Sequence, residues 1–124
     1  MFNLKNNNSE LLSQAQDKKV LALSGIARPE RFVTLLKEEG IKCCYSLKFP
    51  DHFDYPKSSV KKIVEVYNRH KADMIITTEK DSVKLQGIKD FMSIPIYYLK
   101  IDLKIEENFY KYFLMSLSMI QSHA

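Results

Sequence analysis

Val20-Leu21-Ala22-Leu23-Ser24-Gly25-Ile26-Ala27-Arg28-Pro29 is the stretch on which the reading of this sequence turns. Four consecutive apolar residues running into a serine and a glycine describe a strand buried on both faces, since a half-exposed strand would alternate apolar with polar residues. Pro29 suits the first position of a helix, where the missing N–H has no intrahelical partner to lose. Beyond it Phe32, Leu35 and Leu36 recur at i, i+3 and i+4, and Gly40 stands where a left-handed C-terminal cap is wanted. A buried strand followed by an amphipathic helix is the first half of a parallel βαβ unit.

The same alternation continues outward. Residues Ile41 to Phe49 predict the next strand, and Pro50 to Pro56 a loop by its two prolines and its Asp and His content. Val60, Ile63, Val64 and Tyr67 then trace one helical face, with Ser58 or Ser59 available as a cap. Met74-Ile75-Ile76 is a second continuous apolar run, closed by Thr77 and Thr78. Thr78 and Asp81 have capping-box spacing, which predicts a short helix to about Leu85. Pro95 begins a further strand through Ile101, and Glu106 and Glu107 lead into a terminal helix with Phe109, Phe113, Leu117 and Ile120 facing inward. This order predicts an α/β fold: a mostly parallel sheet with helices on both faces, in three Rossmann-like layers. The first 17 residues, rich in Asn, Ser, Gln and Lys with one short apolar pair at Leu11 and Leu12, predict a linker or frayed segment before a single domain over 18–124.

Composition limits what else the chain can be. With 124 residues, 45% of them hydrophobic and 27% charged, it has globular character and room for one domain. Its 19 basic residues exceed its 15 acidic ones, and the net charge of +4 is scattered in small clusters. Such scatter is ordinarily a solvated surface, with docking on anionic lipid or phosphate as the functional alternative, and no nucleic-acid partner is expected. Cys43 and Cys44 are adjacent, so an extended strand sends them to opposite faces, and neither a disulfide nor a metal site is suggested. The expected setting is reducing cytoplasm. No signal peptide is read at the start, and the longest apolar-rich stretch, Tyr112 to Ile120, is interrupted by two serines.

In parallel sheets ligands gather at the carboxyl ends of strands, and Gly25 to Arg28, Asp51 to Asp54 and Thr77 to Asp81 each follow a predicted strand. The Gly25-Ile26-Ala27-Arg28 turn can bring amides and a guanidinium to an anion, although a lone glycine turn ahead of a helix is more often packing. Phe49-Pro50-Asp51-His52-Phe53-Asp54-Tyr55 joins an imidazole to a carboxylate that can orient it for proton transfer near neutral pH. Asp and His are also common turn formers, so both readings stay open on the residues alone. In Thr77-Thr78-Glu79-Lys80-Asp81 the bland reading is a helix cap, with Glu79 and Asp81 favouring the helix start. Lys80 does not fit that reading, because a cation in the first turn opposes the helix dipole and calls for an acidic partner. A P-loop requires G-x-x-x-x-G-K-[ST], and glycines at 25, 40 and 87 lack that spacing, so no Walker-type ATP site is expected in these residues.

Taken in order, Ser24-Gly25-Ile26-Ala27-Arg28-Pro29-Glu30-Arg31-Phe32, Phe49-Pro50-Asp51-His52 and Thr77-Thr78-Glu79-Lys80-Asp81-Ser82-Val83-Lys84-Leu85 resemble the successive C-terminal motifs of the tetraacyldisaccharide 4'-kinase family. The resemblance implies the C-terminal lobe of a P-loop kinase of lipid A synthesis, with ATP and Mg2+ as the family's cofactors but no ATP site in this chain, which is expected to be inactive without an N-terminal P-loop lobe. It implies a lipid A disaccharide precursor as substrate, cytoplasmic localisation and peripheral contact with the inner membrane. It also implies that His52 works near the acceptor hydroxyl with an aspartate of that other lobe and that Asp51 is its acidic neighbour; on the residues themselves no metal site is expected, because His52 has no partner at i+4 and His70 and His123 lie in unrelated polar contexts. Arg28, Thr78, Glu79, Lys80 and Asp81 match positions expected on the substrate or phosphate side. Phe53 stands where a second histidine often follows, and Ala27-Arg28 where Gly-Asn is common. A non-catalytic binding module built on the same fold is the alternative reading.

Overall fold

The apolar run that decided the sequence reading is a strand with neighbours on both sides, in a computed structural model that describes residues 1–100. The strands are β1 (Phe2–Asn3), β2 (Val20–Ser24), β3 (Cys43–Lys48), β4 (Met74–Thr78) and β5 (Ile96–Leu99). The helices are α1 (Pro29–Glu38), α2 (Lys57–Arg69) and α3 (Glu79–Leu85), with short 3-10 turns at Leu12–Ala15 and Lys89–Phe91. The expected terminal helix through Phe109, Phe113, Leu117 and Ile120 lies outside the described residues, as does Ile101.

The sheet order is β1-β5-β4-β2-β3, parallel throughout except for β1, which runs antiparallel beside β5. Each central strand is buried on both sides because successive side chains enter different cores. Leu21 and Leu23 of β2 join Ile75 of β4 and Val60, Ile63 and Val66 of α2. Val20 and Ala22 face the other way, to Met74 and Ile76 of β4 and Phe32, Leu35 and Leu36 of α1. The helices therefore cover opposite faces, as the alternation of strand and helix implied.

Helix α1 starts at Pro29 and ends in a Schellman motif, with Gly40 N–H bonded to Lys37 O and Ile41 N–H to Leu36 O. Ile41, expected to open the next strand, instead packs against the last turn of α1, and β3 begins two residues later. β3 is an edge strand among the described residues. A register shift between Val20 and Leu21 irregularises its pairing, Lys42 precedes it and Lys48 ends it, which discourages addition of a further strand. Cys43 packs against one core and Cys44 against the other.

Two local expectations are corrected. Residues 1–17, expected as a linker or frayed segment, supply edge strand β1, and Leu4 and Ala15 from this segment are buried. Phe2 stacks on Tyr98 with ring centroids 5.6 Å apart, so apolar residues too sparse to register as a pattern still find partners on β5. Neither Ser58 nor Ser59 caps α2: the cap position is Pro56, and the Ser59 hydroxyl donates to the Pro56 carbonyl.

The left-handed backbone of Gly40, with φ of 78°, requires a residue without Cβ, and an added Cβ would lie 3.0 Å from Gln16 Nε2. Gly40→Ala should therefore destabilise the fold by about 1–2 kcal/mol, the cost of a left-handed L-residue, seen as a lower urea midpoint with unchanged slope.

Candidate functional site

Parallel strands end on one edge, and here that edge holds all three segments singled out in the sequence. β2 passes through α1 to β3 on one side, whereas the chain returns from β3 through α2 to β4 on the other side of β2. The carboxyl ends of β2 and β4 thus flank a topological switch point, where open α/β sheets form their crevice. Gly25 follows β2 and Asp81 lies in the first turn after β4, and the two meet there.

Asp81 is only 2% exposed, and donors from three segments surround its carboxylate. Gly25 N–H is 3.1 Å from both oxygens, the Tyr55 hydroxyl donates to Oδ1 at 2.9 Å, and the Thr78 hydroxyl donates to Oδ2 at 2.6 Å. Thr78 Oγ1 also accepts from Asp81 N–H at 3.1 Å, the helix cap that the spacing predicted. Burying a carboxylate is costly unless its lone pairs are filled, and hydrogen bonds to a charged group contribute about 1.5–3 kcal/mol each. Asp81 is thus more than a cap: it ties the turn after β2, the loop after β3 and the helix after β4 into one body. Gly25 is needed at this junction because an added Cβ would lie 3.0 Å from Asp81 Oδ1, 3.1 Å from Phe53 Cβ and 3.2 Å from Pro50 O.

The 51–55 loop crosses the surface above this junction. Phe49 and Phe53 stack with centroids 4.4 Å apart, and Tyr55 sets its edge against both. Between them His52 turns outward with its side chain 71% exposed, and its Nε2 stands 3.6 Å from Asp51 Oδ2. Lys80 Nζ reaches the other oxygen, Oδ1, at 3.0 Å. The acidic partner that the position of Lys80 called for is therefore Asp51, and one carboxylate touches both the imidazole and the ammonium. Lys84 donates to Phe53 O at 2.9 Å and pairs with Asp54 at 3.4 Å. Exposed lysine pairs of this kind contribute about 0–1 kcal/mol, so they tune the loop and the buried Asp81 bonds hold it.

Of the residues singled out from sequence, Asp51 contacts both His52 and Lys80, and Thr78 separately contacts Asp81. Arg28 and Glu79 are exposed on the same edge, at the cap position of α1 and the first position of α3. Sequence reasoning gave no role to Tyr55, which is buried to 5% exposure. Its signal was a second aromatic residue, beside Phe53, in a short loop just before Pro56. Among the described residues no three of His, Cys, Asp and Glu converge as metal ligands.

Comparison with known proteins gives this edge a context. The sequence matches the family model for tetraacyldisaccharide-1-P 4'-kinase over residues 2–118. The chain belongs to this family. The tetraacyldisaccharide 4'-kinase of Koribacter versatilis is 34% identical over 93 residues, covering 75% of this chain and 29% of that protein. That of Gluconobacter oxydans is 37% identical over 70 residues, covering 56% and 21%. The chain thus spans about a quarter of the length of these kinases. Among solved structures, LpxK from Aquifex aeolicus, described as in complex with ATP, aligns with a TM-score of 0.51 at 24% identity, over 90% of this chain and 33% of that one. That likeness is one of fold, and it joins the five-stranded sheet to a kinase architecture. The family match starts at residue 2, within the segment that supplies β1.

Asp81→Ala would leave Tyr55 OH and Gly25 N–H buried without their acceptor, a cost of about 1–3 kcal/mol for each orphaned group, and should lower the urea midpoint accordingly. Burial, then the nearby Asp81 charge and the hydrogen bond to it, push the Tyr55 phenol above its ordinary value of 10.0. A raised folded value means that this contribution is intact below about pH 10 and is lost as pH climbs above it, because the unfolded chain releases the proton first. Between pH 9 and 11 the parent should therefore lose more unfolding free energy than Tyr55→Phe, measured by denaturant titration at each pH.

Proposed function

We propose that this chain is the acceptor-side lobe of an ATP-dependent kinase that phosphorylates the 4'-hydroxyl of a tetraacyldisaccharide 1-phosphate, a lipid A precursor. The observation that carries the reading is the Asp51–His52–Lys80 constellation at the carboxyl edge of a parallel sheet, in a chain of that kinase family.

Phosphoryl transfer asks little covalent chemistry of the protein and much positioning, including orientation of the attacking hydroxyl. The exposed His52 imidazole is placed to take the proton of that hydroxyl, since imidazole exchanges protons near neutral pH. Asp51 sits beside the ring to orient it and to stabilise the imidazolium that forms, while Lys80 fixes the second carboxylate oxygen. Arg28 and Glu79 complete the polar rim, with Arg28 suited by charge to a phosphate of the substrate.

The residues present do not fit a nucleotide's phosphates. A phosphate cradle needs free glycine-loop amides, but Gly25 N–H already serves Asp81, and side-chain space over Gly25 is filled by Asp81, Phe53 and Pro50. Gly40 caps α1, and Gly87 follows α3. ATP and Mg2+ therefore belong to a P-loop lobe outside these residues, and that lobe is the partner this edge serves. Without it the chain is inactive. An acylated substrate places the work at the cytoplasmic face of the inner membrane through peripheral contact; no helix among the described residues is long and apolar enough to cross a membrane.

Two measurements test the reading. Calorimetric titration of the chain alone with MgATP should give no saturable heat. With a P-loop lobe supplied, lipid phosphorylation should appear, and His52→Ala should lower kcat by about 10²- to 10⁴-fold, the range for a positioned acid-base group. Parent-like turnover by folded His52→Ala would remove the imidazole from the mechanism. No turnover under any supplied lobe would leave a binding module in place of a kinase lobe.

A further inference from the structure

The backbone around His52 is in a conformation that its side chains resist. His52 has φ of 60° and Tyr55 φ of 55°, both in the left-handed region. Histidine visits that region with some frequency, but a bulky tyrosine there is an outlier that the surrounding structure must impose. Helix α3 grips the loop at three places: Lys80 at Asp51, Lys84 at Phe53 O and Asp54, and Asp81 at the Tyr55 hydroxyl. Water competes for both lysine contacts, whose partners are partly or largely exposed. Of these three contacts the Tyr55–Asp81 bond is the shielded one, and it joins the loop to the carboxylate that also holds Gly25 and Thr78.

We propose that Tyr55 is the positioning residue for His52, acting through Asp81. Its hydroxyl pins the far end of the loop to the switch point of the sheet, and the left-handed turn at His52 follows from that fixed end. The imidazole is thereby aimed outward beside Asp51. Tyr55 does not touch substrate. The ring alone is insufficient, because edge packing of Tyr55 on Phe49 and Phe53 tolerates small rotations, whereas a 2.9 Å bond to a buried carboxylate does not. The inference rests on the acceptor-side role of His52 proposed above.

Tyr55→Phe tests it, since the ring stays and only the hydroxyl is lost. In the full chain, NMR should give a cross-peak between the Gly25 α-protons and the Phe53 β-protons, because Phe53 Cβ lies 3.1 Å from where a Gly25 side chain would begin. That cross-peak should keep its intensity in Lys84→Ala and weaken several-fold in Tyr55→Phe, since it falls with the sixth power of distance. In enzyme restored with a P-loop lobe, Tyr55→Phe should lower kcat by about 10- to 100-fold, the effect of displacing a reacting group by about 1 Å, with the KM for ATP unchanged. A merely structural tyrosine would lower the amount of folded enzyme, leaving turnover per folded molecule intact. A cross-peak of unchanged intensity in Tyr55→Phe overturns the proposal, and so does parent-like turnover by Tyr55→Phe where His52→Ala is slow. If His52→Ala itself turns over at the parent rate, the assigned function fails, and the cross-peak still decides whether Tyr55 anchors the loop.

Discussion

A single buried carboxylate holds the carboxyl edge of this sheet together. Asp81 takes hydrogen bonds from the turn after β2, the loop after β3 and the cap of α3, three segments far apart in sequence. A carboxylate in such a place is unfavourable unless every donor arrives, which makes the arrangement close to all-or-none. The pairs made by Lys80 and Lys84 lie at the surface, where water and salt weaken them. The hierarchy is therefore set by burial: one shielded junction fixes the loop, and exposed charges adjust it.

Gly25 connects that junction to the sheet. Its N–H is one of the donors, and the absence of a side chain lets Phe53 and Pro50 close over it. The same amide that a glycine turn could offer to an external anion is already given to an internal one. The carboxyl edge of this sheet thus presents an imidazole and charged side chains outward, while the Gly25 amide is spent on architecture. The left-handed conformations of His52 and Tyr55 fit that division, since strain at a loop tip persists only where neighbouring structure over-determines it.

Much of this was legible in the chain itself. Continuous apolar runs at Val20–Leu23 and Met74–Ile76 gave strands buried on both faces, because only a sheet covered on two sides removes every residue of such a run from water. Pro29, Gly40 and the Thr78–Asp81 spacing gave helix ends, because those residues act through local backbone geometry that neighbours in sequence complete. The dipole argument at Lys80 even required an acidic partner, and the partner is Asp51. Residues 1–17 failed to read as structure because β1 has two residues and draws its stability from β5, some 95 residues further along, too distant to leave a periodic signal.

What the sequence by itself determined was the order of elements, the faces they bury, the edge on which the motifs end and the family those motifs belong to, all properties carried by short-range pattern. Only the tertiary structure decided that Asp81 faces inward as a shared acceptor, although its position in the motif suited a phosphate-side role equally well. Only the tertiary structure, too, gave Tyr55 a partner and left His52 exposed beside Asp51. The physical reason is the same in each case: a side chain's hydrogen bonds are chosen by which groups share its burial, and burial at a sheet's switch point is fixed when strands distant in sequence pair, not by the residues on either side.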